Sequence, residues 1–467
     1  GETGGHGGPG RSVSSGYELR IPIVSPDGKP VQGEPNGSMG EGIDVSVATM
    51  LRFSSEVTMR NVFGLLAVVA VAGMAEAADW PQWRGPARDG VAQASGLPTK
   101  WPAKLKLAWR KKVGEGHSSP VVRAGRVYLM SREGGQEVVR GFELASGREL
   151  WKSDYKAEYK IQSVARDHGR GPKATPVITG QRLVTFGISG ILSCWESATG
   201  RRVWSHDFAG QHRETAPLYG HAASPIVVGG KVIVHVGGHD DGALTALDVA
   251  SGKTVWRWAE DGPAYASPVL LTVDGKRQLV AQSQKFHLGV DPVSGKVLWR
   301  VPFTTQFDQN SVTPLVAGGR VILAGYDQPT VALEVTARGG RVRTDRKWKN
   351  RGIAMYMSSP VLAGGRLFGM THRRRGQLFC VDPTSGKVTW ATQGRLAENA
   401  ALIVAGDVVL VQTSDGELLV VAVDTTSYRE LARYRLSETA TWAHPALVGS
   451  KLLVKDREHL LVFDLSE

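Results

Sequence analysis

A tryptophan that recurs at intervals of 42–53 residues, short apolar runs bounded by glycine turns, and a lack of helical periodicity together predict an all-β fold. The fold class that accounts for all three observations is an eight-bladed β-propeller of four-stranded blades. Eight blades of roughly 45 residues each need about 360 residues, and residues 105–467 supply that length. The composition agrees, because 42% hydrophobic residues and 57 glycines suit a globular protein rich in turns.

The repeat unit begins with a small or polar residue and usually a proline, as in "SSPVVRAGRVYLM" at 118–130. Two short apolar strands around a glycine turn are followed by a third strand, a "D-x-x-S/T-G-K" turn and a strand that carries the tryptophan. The first marker is found eight times, beginning at residues 118, 174, 223, 266, 312, 358, 400 and 443. The sequence therefore contains eight units, the last two with degraded tryptophan motifs.

The two ends of the repeat region complement each other. The last unit stops at "LLVFDLSE", after its third strand, whereas an additional strand, "LKLAWRKKV", stands at the front with Trp109 in the position of the closing tryptophan. We expect this N-terminal strand to complete the C-terminal blade and to close the ring. Closure removes the exposed strand edges that an open sheet would present.

The stretch "TALDVASGKTVW" (245–256) shows what the repeated motif contributes. Asp248 can accept hydrogen bonds from turn N–H groups, Gly252 can adopt a positive φ, and Trp256 can fill the space between neighbouring blades. A cofactor in the channel would bind once, so five copies of the motif cannot each be its ligands. The motif therefore indicates a structural clasp, formed by Trp109, Trp151, Trp204, Trp256, Trp299, Trp348, Trp390, Asp248, Asp291, Asp382, Gly252, Gly295 and Gly386.

A targeting signal precedes the repeats. From Met59 the sequence "MRNVFGLLAVVAVAGMAEAADW" has a basic start, an apolar core and an A-x-A cleavage site, the layout of a secretory signal peptide. We therefore predict a disordered upstream segment at 1–58, interpreted as an extension of the gene model, and a signal peptide at 59–77. An N-terminal extension at 78–104 and the propeller at 105–467 follow. The predicted location is the bacterial periplasm or the extracellular space.

Charge and cysteine content limit the possible partners and cross-links. The formal net charge of +12 favours an anionic partner, and the run "RGGRVRTDRKWKNR" (338–351), with "RRR" at 373–375, is either a solvated face or a surface for such a partner. Aromatic residues are sparse there and export argues against nucleic acid. Cys194 and Cys380 occupy equivalent positions four units apart, on opposite sides of a ring, so we expect both to be free and buried.

The loops that enter the first strand of each blade surround one mouth of the central channel, where a ligand usually binds in such folds. These loops supply a polar and aromatic set that the repeat does not explain. The candidates are His117, His168, Lys173, His221, Tyr265, Asn310, Tyr356, Asn399, Trp442 and His444. These residues either satisfy loop backbones and channel waters or bind a ligand, with His117, His168, His221 and His444 as a possible metal set.

The motifs "ALDxxSGKxxW" and "SSPxVxxGxVY" together resemble the pyrroloquinoline-quinone (PQQ) repeat over nearly all of residues 79–467. The segments "DWPQWRGPARDG" (79–90) and 171–200 resemble secreted bacterial PQQ-binding-like propellers. The resemblance implies either of two functions, because the repeat is shared by quinoprotein alcohol dehydrogenases and by the propeller lipoprotein of the outer-membrane barrel-assembly machinery. That lipoprotein binds no quinone.

The resemblance to the dehydrogenases is incomplete. Those enzymes have adjacent cysteines in a vicinal disulfide, a calcium site of Glu and Asn, and a catalytic Asp, none of which can be aligned here. We therefore predict an exported, non-catalytic propeller without a cofactor, a monomer that acts as a binding or assembly scaffold for an envelope protein or other anionic partner. The alternative is a PQQ-dependent oxidoreductase with PQQ and calcium in the central channel. A hydrolase using the rim histidines lacks a nucleophile and base at suitable spacing.

Overall fold

The computed structural model describes residues 79–94, 96–210, 212, 215–424 and 426–466. The predicted upstream segment and signal peptide lie outside these residues. Within the described residues, helical structure is limited to three short 3-10 turns, Ser163–His168, Gln306–Asp308 and Arg373–Arg375. None of the described helices is long and apolar enough to cross a membrane.

The described strands form eight sheets, and six of these consist of four antiparallel strands in chain order or its reverse. Blade 1 consists of Val121–Arg123, Arg126–Glu133, Gln136–Glu143 and Glu149–Lys156, and blade 2 of Val177–Thr179, Arg182–Phe186, Ile191–Glu196 and Arg202–Asp207. Blade 3 consists of Ile226–Val228, Lys231–Val236, Ala243–Asp248 and Thr254–Trp258, and blade 4 of Val269–Val273, Lys276–Gln282, Phe286–Val290 and Val297–Pro302. Blade 5 consists of Leu315–Ala317, Arg320–Gly325, Gln328–Arg338 and Arg341–Asn350, and blade 6 of Val361–Ala363, Arg366–Thr371, Gln377–Val381 and Val388–Ala391.

The last two blades complete the predicted ring. Blade 7 consists of Ala400–Ala405, Val408–Thr413, Glu417–Ala422 and Glu430–Arg435, with the short strand Val91–Ala92 added in parallel to its first strand. Blade 8 consists of Ala446–Val448, Lys451–Lys455 and His459–Asp464, and its fourth strand is Lys106–Lys112 from the front of the chain. The first strand of blade 1 contacts the first strands of both blade 2 and blade 8. The prediction of an eight-bladed propeller closed by its N-terminal strand is confirmed.

The hydrophobic core lies between blades rather than in one central mass. Ile233 and Ala246 of blade 3, for example, share a buried cluster with Leu279 and Leu288 of blade 4. Similar clusters join blades 1 and 2, 4 and 5, and 6 and 7. Both faces of each sheet are therefore buried, because each blade packs against two neighbours, and this explains the continuous apolar runs in the sequence.

The repeated tryptophans join each blade to the next one. The indole N–H of Trp256 in blade 3 donates to the Pro292 carbonyl in the turn of blade 4, at 3.1 Å. Gly295 of that turn has φ +76°, and a Cβ added there would lie 2.6 Å from the Trp256 ring. Trp109, Trp151, Trp204, Trp348 and Trp390 likewise donate to a turn carbonyl of the following blade. In the five of these turns that contain a glycine, the glycine is thus required by two constraints, its positive φ and the indole that lies against it.

Trp299 in blade 4 departs from this pattern. Its N–H donates to Gln278 Oε1 of its own blade, at 2.9 Å. Blade 5 has no "D-x-x-S-G" turn, because its third and fourth strands continue as a long hairpin to Arg338 and Arg341. The apolar face of that hairpin, with Val335 buried, packs in the cluster shared with blade 4.

The aspartates of the motif hold the turn itself. Asp248 Oδ1 accepts the Ser251 N–H at 2.8 Å and the Ser251 hydroxyl at 2.7 Å. Asp291 and Asp382 accept turn N–H groups in the same way. These hydrogen bonds lower the pKa of Asp248. Each aspartate therefore fixes the local turn while the tryptophan fixes the neighbouring blade.

The cysteine prediction is confirmed. Cys194 and Cys380 are free and buried, and they lie in the third strands of blades 2 and 6. Burial raises the pKa of the Cys194 thiol to about 11. Both act as small apolar residues in clusters between blades.

Candidate functional site

Residues 80–92, here called the axial segment, bind the innermost strands of several blades. Trp80 forms a β-bridge to Val122 of blade 1, and the Pro81 carbonyl accepts the Ile178 N–H of blade 2 at 2.9 Å. At its other end the Gly90 carbonyl accepts the Val404 N–H of blade 7 at 2.8 Å. Since these partners belong to the innermost strands of separate blades, the segment fills the middle of the channel.

Side chains of the axial segment reach further blades. Arg88 donates to the Ser224 and Pro225 carbonyls next to blade 3, at 3.1 and 2.9 Å. Arg84 donates to the Pro360 carbonyl next to blade 6. Both guanidinium groups are almost fully buried, and burial lowers the pKa of Arg84 to about 10 and that of Arg88 to about 9. They donate to backbone carbonyls that face the channel. The innermost strands of a closed ring expose such carbonyl and N–H groups, and these groups need hydrogen-bond partners.

A recess of about 160 Å³ remains at the channel mouth formed by the loops between blades. Trp83 of the axial segment lines it, with its indole N–H donating to Thr313 Oγ1 of blade 5 at 2.9 Å. Aromatic side chains form much of the wall, namely Tyr219, Tyr265, Tyr356 and Trp442. The recess is thus a small aromatic pocket that belongs to several blades at once.

Eight of the ten candidates named from the sequence line this recess. They are His117, His168, Lys173, Tyr265, Tyr356, Asn399, Trp442 and His444. His168 ends the 3-10 turn Ser163–His168 and lies edge-on to Tyr219 and Trp442, with ring centroids 5.5 and 5.4 Å apart. This turn between blades 1 and 2 therefore contacts the loops that enter blades 3 and 8.

The histidines of the recess are neutral. Burial and the nearby Lys173 lower the pKa of His117 to about 3, and its Nε2 lies 3.0 Å from the His168 carbonyl oxygen. Burial also lowers the pKa of His444 to about 3, and its Nδ1 lies 2.8 Å from the Pro445 carbonyl oxygen. A carbonyl only accepts, so in each ring that nitrogen carries the proton. In His117 the other nitrogen then presents a lone pair, whereas the His444 ring also has a backbone hydrogen-bond contact with Leu402.

The remaining two candidates do not line the recess. His221 is buried against Phe186, with ring centroids 4.8 Å apart. Asn310 is fully buried and its amide donates to the Ser283 and Gln284 carbonyls, at 3.3 and 2.9 Å. Both hold loops in place. Because His221 does not line the recess, the four histidines predicted as a possible metal set do not lie around one cavity. No group of three or more metal-ligating side chains is found in the described part of the chain.

Sequence reasoning missed the axial segment as part of the site. Its signal was present, because "DWPQWRGPARDG" has two tryptophans and two arginines outside any repeat. The residues overlooked in the recess include Trp83, Tyr219, Gln309, Ser311, Thr313, Ser359 and Thr441. Nothing local in the sequence shows that residues 80–92 fill the channel, because the partners that place them there lie in separate blades.

Comparison with known proteins gives two groups of relatives. Residues 134–392 match the sequence model of the family described as outer membrane protein assembly factor BamB. The chain is 24% identical over 378 residues to the assembly factor BamB of Shewanella oneidensis, and the match covers 75% of this chain and 87% of that protein. It is also similar to quinohemoprotein alcohol dehydrogenase ADH-IIG of Pseudomonas putida, with 29% identity over 162 residues, but that match covers 33% of this chain and 21% of the dehydrogenase.

The crystal structure of BamB from Moraxella catarrhalis has the same fold. It superimposes with a TM-score of 0.57 at 18% sequence identity, over 78% of this chain and 98% of that one. At this identity the likeness concerns the propeller architecture and not the residues of the recess.

Proposed function

Because this chain belongs to the family of outer membrane protein assembly factor BamB, we propose that it is an exported, non-catalytic propeller of the cell envelope. Its role in this proposal is to bind envelope proteins as a scaffold during assembly. Export rests on the signal peptide predicted at 59–77. The matches to the two groups of relatives support a scaffold more than an enzyme, since 87% of the Shewanella factor but 21% of the dehydrogenase is covered.

The filled axis is the observation that carries this proposal. A quinone enzyme of the type considered needs its cofactor in the central channel, and here residues 80–92 take that place through hydrogen bonds to innermost strands. The recess left at the mouth, about 160 Å³, is close to the volume of an engineered cavity that binds benzene. A three-ring quinone with its carboxylates would extend beyond this volume, and the recess has no adjacent cysteines.

The long hairpin of blade 5 is the surface we assign to the partner. Arg338, Arg341 and Arg343 are exposed on the part of the hairpin that extends beyond the second strand of the blade. They form no ion pair with the described part of the chain. The turn Arg373–Arg375 belongs to blade 6 and joins its second and third strands. It therefore lies on the face of the ring opposite to the blade 5 hairpin, which joins a third and a fourth strand. The basic residues predicted as one group therefore divide between two faces, and the hairpin tip offers positive charge for an acidic partner surface.

A deletion strain of the source organism tests this role. We expect the folded fraction of outer-membrane barrel proteins, measured by heat-modifiable gel mobility, to fall on deletion and to return with the wild-type gene. A variant with Arg338→Glu, Arg341→Glu and Arg343→Glu should restore it less well, whereas Lys253→Glu, a single exposed change on blade 3, should restore it fully. An unchanged folded fraction on deletion would contradict the proposal.

The second candidate function is a PQQ-dependent oxidoreductase, which the local 29% identity to the dehydrogenase favours. Its test is reconstitution of the exported chain with PQQ and calcium. Quinone absorbance that remains with the protein on gel filtration, together with dye-linked alcohol oxidation, would favour this function over the scaffold. Without both signals the enzyme hypothesis is rejected.

A further inference from the structure

The polar groups that line the recess differ in whether they have partners within the protein. Most of them are satisfied internally: Ser311 donates to the Tyr356 carbonyl at 2.6 Å, Thr441 donates to the Thr413 carbonyl at 2.7 Å, and Tyr219 accepts from Gln309 at 2.9 Å. Such bonds set the shape of the wall. They leave no need for a ligand at these positions.

Three buried atoms in the same recess have no hydrogen-bond partner in the described part of the chain. They are Lys173 Nζ, Asn399 Nδ2 and His444 Nε2. The Asn399 amide orientation is fixed, because its Oδ1 accepts the Met357 N–H at 3.0 Å, so Nδ2 is a free donor. Buried polar groups are usually hydrogen-bonded. Three exceptions around one cavity therefore indicate that a ligand supplies the missing hydrogen-bond partners.

Lys173 determines the charge of that ligand. Its ammonium group is buried and has no hydrogen-bond partner among the described residues. The negative charge of Glu115 raises the pKa of Lys173, but the two groups form no hydrogen bond. The Lys173 charge in turn lowers the pKa of both His117 and His168. Burial lowers the pKa of Lys173 to about 8, so the group is still protonated at pH 7. A buried, unpaired cation is unfavourable, and an anion in the recess would relieve that cost.

The walls and volume determine the rest of the ligand. Trp83, Tyr265, Tyr356 and Trp442 offer ring faces and edges, which suit an aromatic ring through offset or edge contacts. A volume of about 160 Å³ accommodates one ring with a small substituent. These four side chains are partly exposed and leave the recess open to solvent, so a ligand can enter without a change of fold.

From this arrangement we infer that the recess is a binding site for a one-ring aromatic carboxylate, with the carboxylate at Lys173 and Asn399 and the ring against the tyrosine and tryptophan wall. The site goes beyond the scaffold function and does not depend on it, because it involves neither the hairpin of blade 5 nor a protein partner.

Calorimetric titration of the exported chain with benzoate, benzamide and acetate at pH 7 tests this site. Benzoate should bind saturably, benzamide at least tenfold more weakly because it lacks the charge, and acetate at least tenfold more weakly because it lacks the ring. Lys173→Met should weaken benzoate at least tenfold without lowering the melting temperature, since it removes a buried unpaired cation. The control Lys253→Met, an exposed lysine of blade 3, should leave binding unchanged.

Asn399→Asp provides a second, isosteric variant. An aspartate can still accept the Met357 N–H, but its charge opposes the ligand's carboxylate, so benzoate should weaken while benzamide should not. Equal benzoate affinity in the wild type and in Lys173→Met would overturn the proposal, as would the lack of any benzoate binding to a folded wild-type chain. PQQ binding that depends on Lys173 and is tighter than that of benzoate would overturn the one-ring limit and favour the oxidoreductase instead.

Discussion

The outer edge and the axis of this propeller are stabilised in different ways. At the outer edge one device is repeated: an indole of one blade donates to a turn carbonyl of the next and lies on that turn's glycine. At the axis nothing is repeated, and one segment, residues 80–92, binds the inner strands of different blades through different atoms. Repetition serves stability, because every blade needs the same contact with its neighbour. The unrepeated axis is where a single site can form.

The largest expected effect is on the stability of the ring, and two truncations compare the contribution of the closing strand with that of the axial segment. A chain that starts at Val113 lacks the strand Lys106–Lys112 and leaves the outer edge of the third strand of blade 8 unpaired. We expect it to lose cooperative unfolding and to aggregate through the open edge. A chain that starts at Gln93 keeps this strand and should unfold cooperatively at a lower temperature than the wild type. Circular dichroism melts and gel filtration distinguish the two; equal behaviour of both truncations would show that the axial segment, not closure, holds the ring.

Removing one clasp should have the next largest effect. Trp256→Ala removes a buried indole between blades 3 and 4, and the expected loss in the free energy of unfolding is about 3–5 kcal/mol. Val255 on the same strand is 47% exposed, so Val255→Ala should cost less than about 0.5 kcal/mol. Urea denaturation followed by tryptophan fluorescence measures both. Similar losses for the two variants would mean that the indole does not join the blades.

A glycine pair tests whether the clasp needs more than a positive φ. Gly252 has φ +72° and a Cβ added there would lie 2.8 Å from the Trp204 ring, whereas Gly125 has φ +71° with nothing within 4 Å. Backbone strain alone should make Gly125→Ala cost about 1 kcal/mol. Gly252→Ala should cost about 2–3 kcal/mol, because the indole must also move. If chemical denaturation gives equal losses, the contact with Trp204 contributes nothing.

The last expected effect concerns pH and is absent at neutral pH. His287 is fully buried, neither ring nitrogen has a partner among the described residues, and burial lowers its pKa to about 3. The unfolded chain binds a proton here near pH 6.5 while the folded chain does not. Stability is therefore lost as the pH falls from about 6.5 towards 3, by up to about 1.4 kcal/mol per pH unit for this group.

His287→Leu should reduce that dependence and leave stability at pH 7 near the wild-type value. Thermal melts between pH 7 and pH 4 measure the slope. His459→Gln is the control, since His459 lies at the surface of blade 8 with 25% of its side chain exposed. An equal slope for the wild type and His287→Leu would exclude His287 as a source of the acid sensitivity.

The fold could be predicted almost completely, because its information is local and repeated. The recurrence of the motif at regular intervals indicates the structural roles of Asp248, Gly252 and Trp256. The position of Trp109 at the front of the repeats predicts closure of the ring. What the sequence did not indicate is that Gly295 packs under Trp256 of the preceding blade rather than under the tryptophan of its own unit. The hairpin of blade 5 lacks the motif, so the exception at Trp299 was also hidden.

The candidate site was only partly predictable. The order of the strands predicts which end of the ring the loops occupy, and His117, Lys173, Asn399 and Trp442 from these loops do line the recess. The direction of each side chain does not follow from the order of strands. His221 and Asn310 come from the same loops, yet they turn into the protein to pack on Phe186 or to bind backbone carbonyls.

The sequence by itself determined the number of blades, the way the ring closes and the clasps between blades, because each of these depends on residues that repeat or complement one another along the chain. Only the tertiary structure decided that residues 80–92 fill the axis and that Lys173, Asn399 and His444 meet without partners around one recess. The physical reason is that each of these contacts is made once and joins residues of separate blades that are far apart in the chain. No periodicity in the chain encodes them.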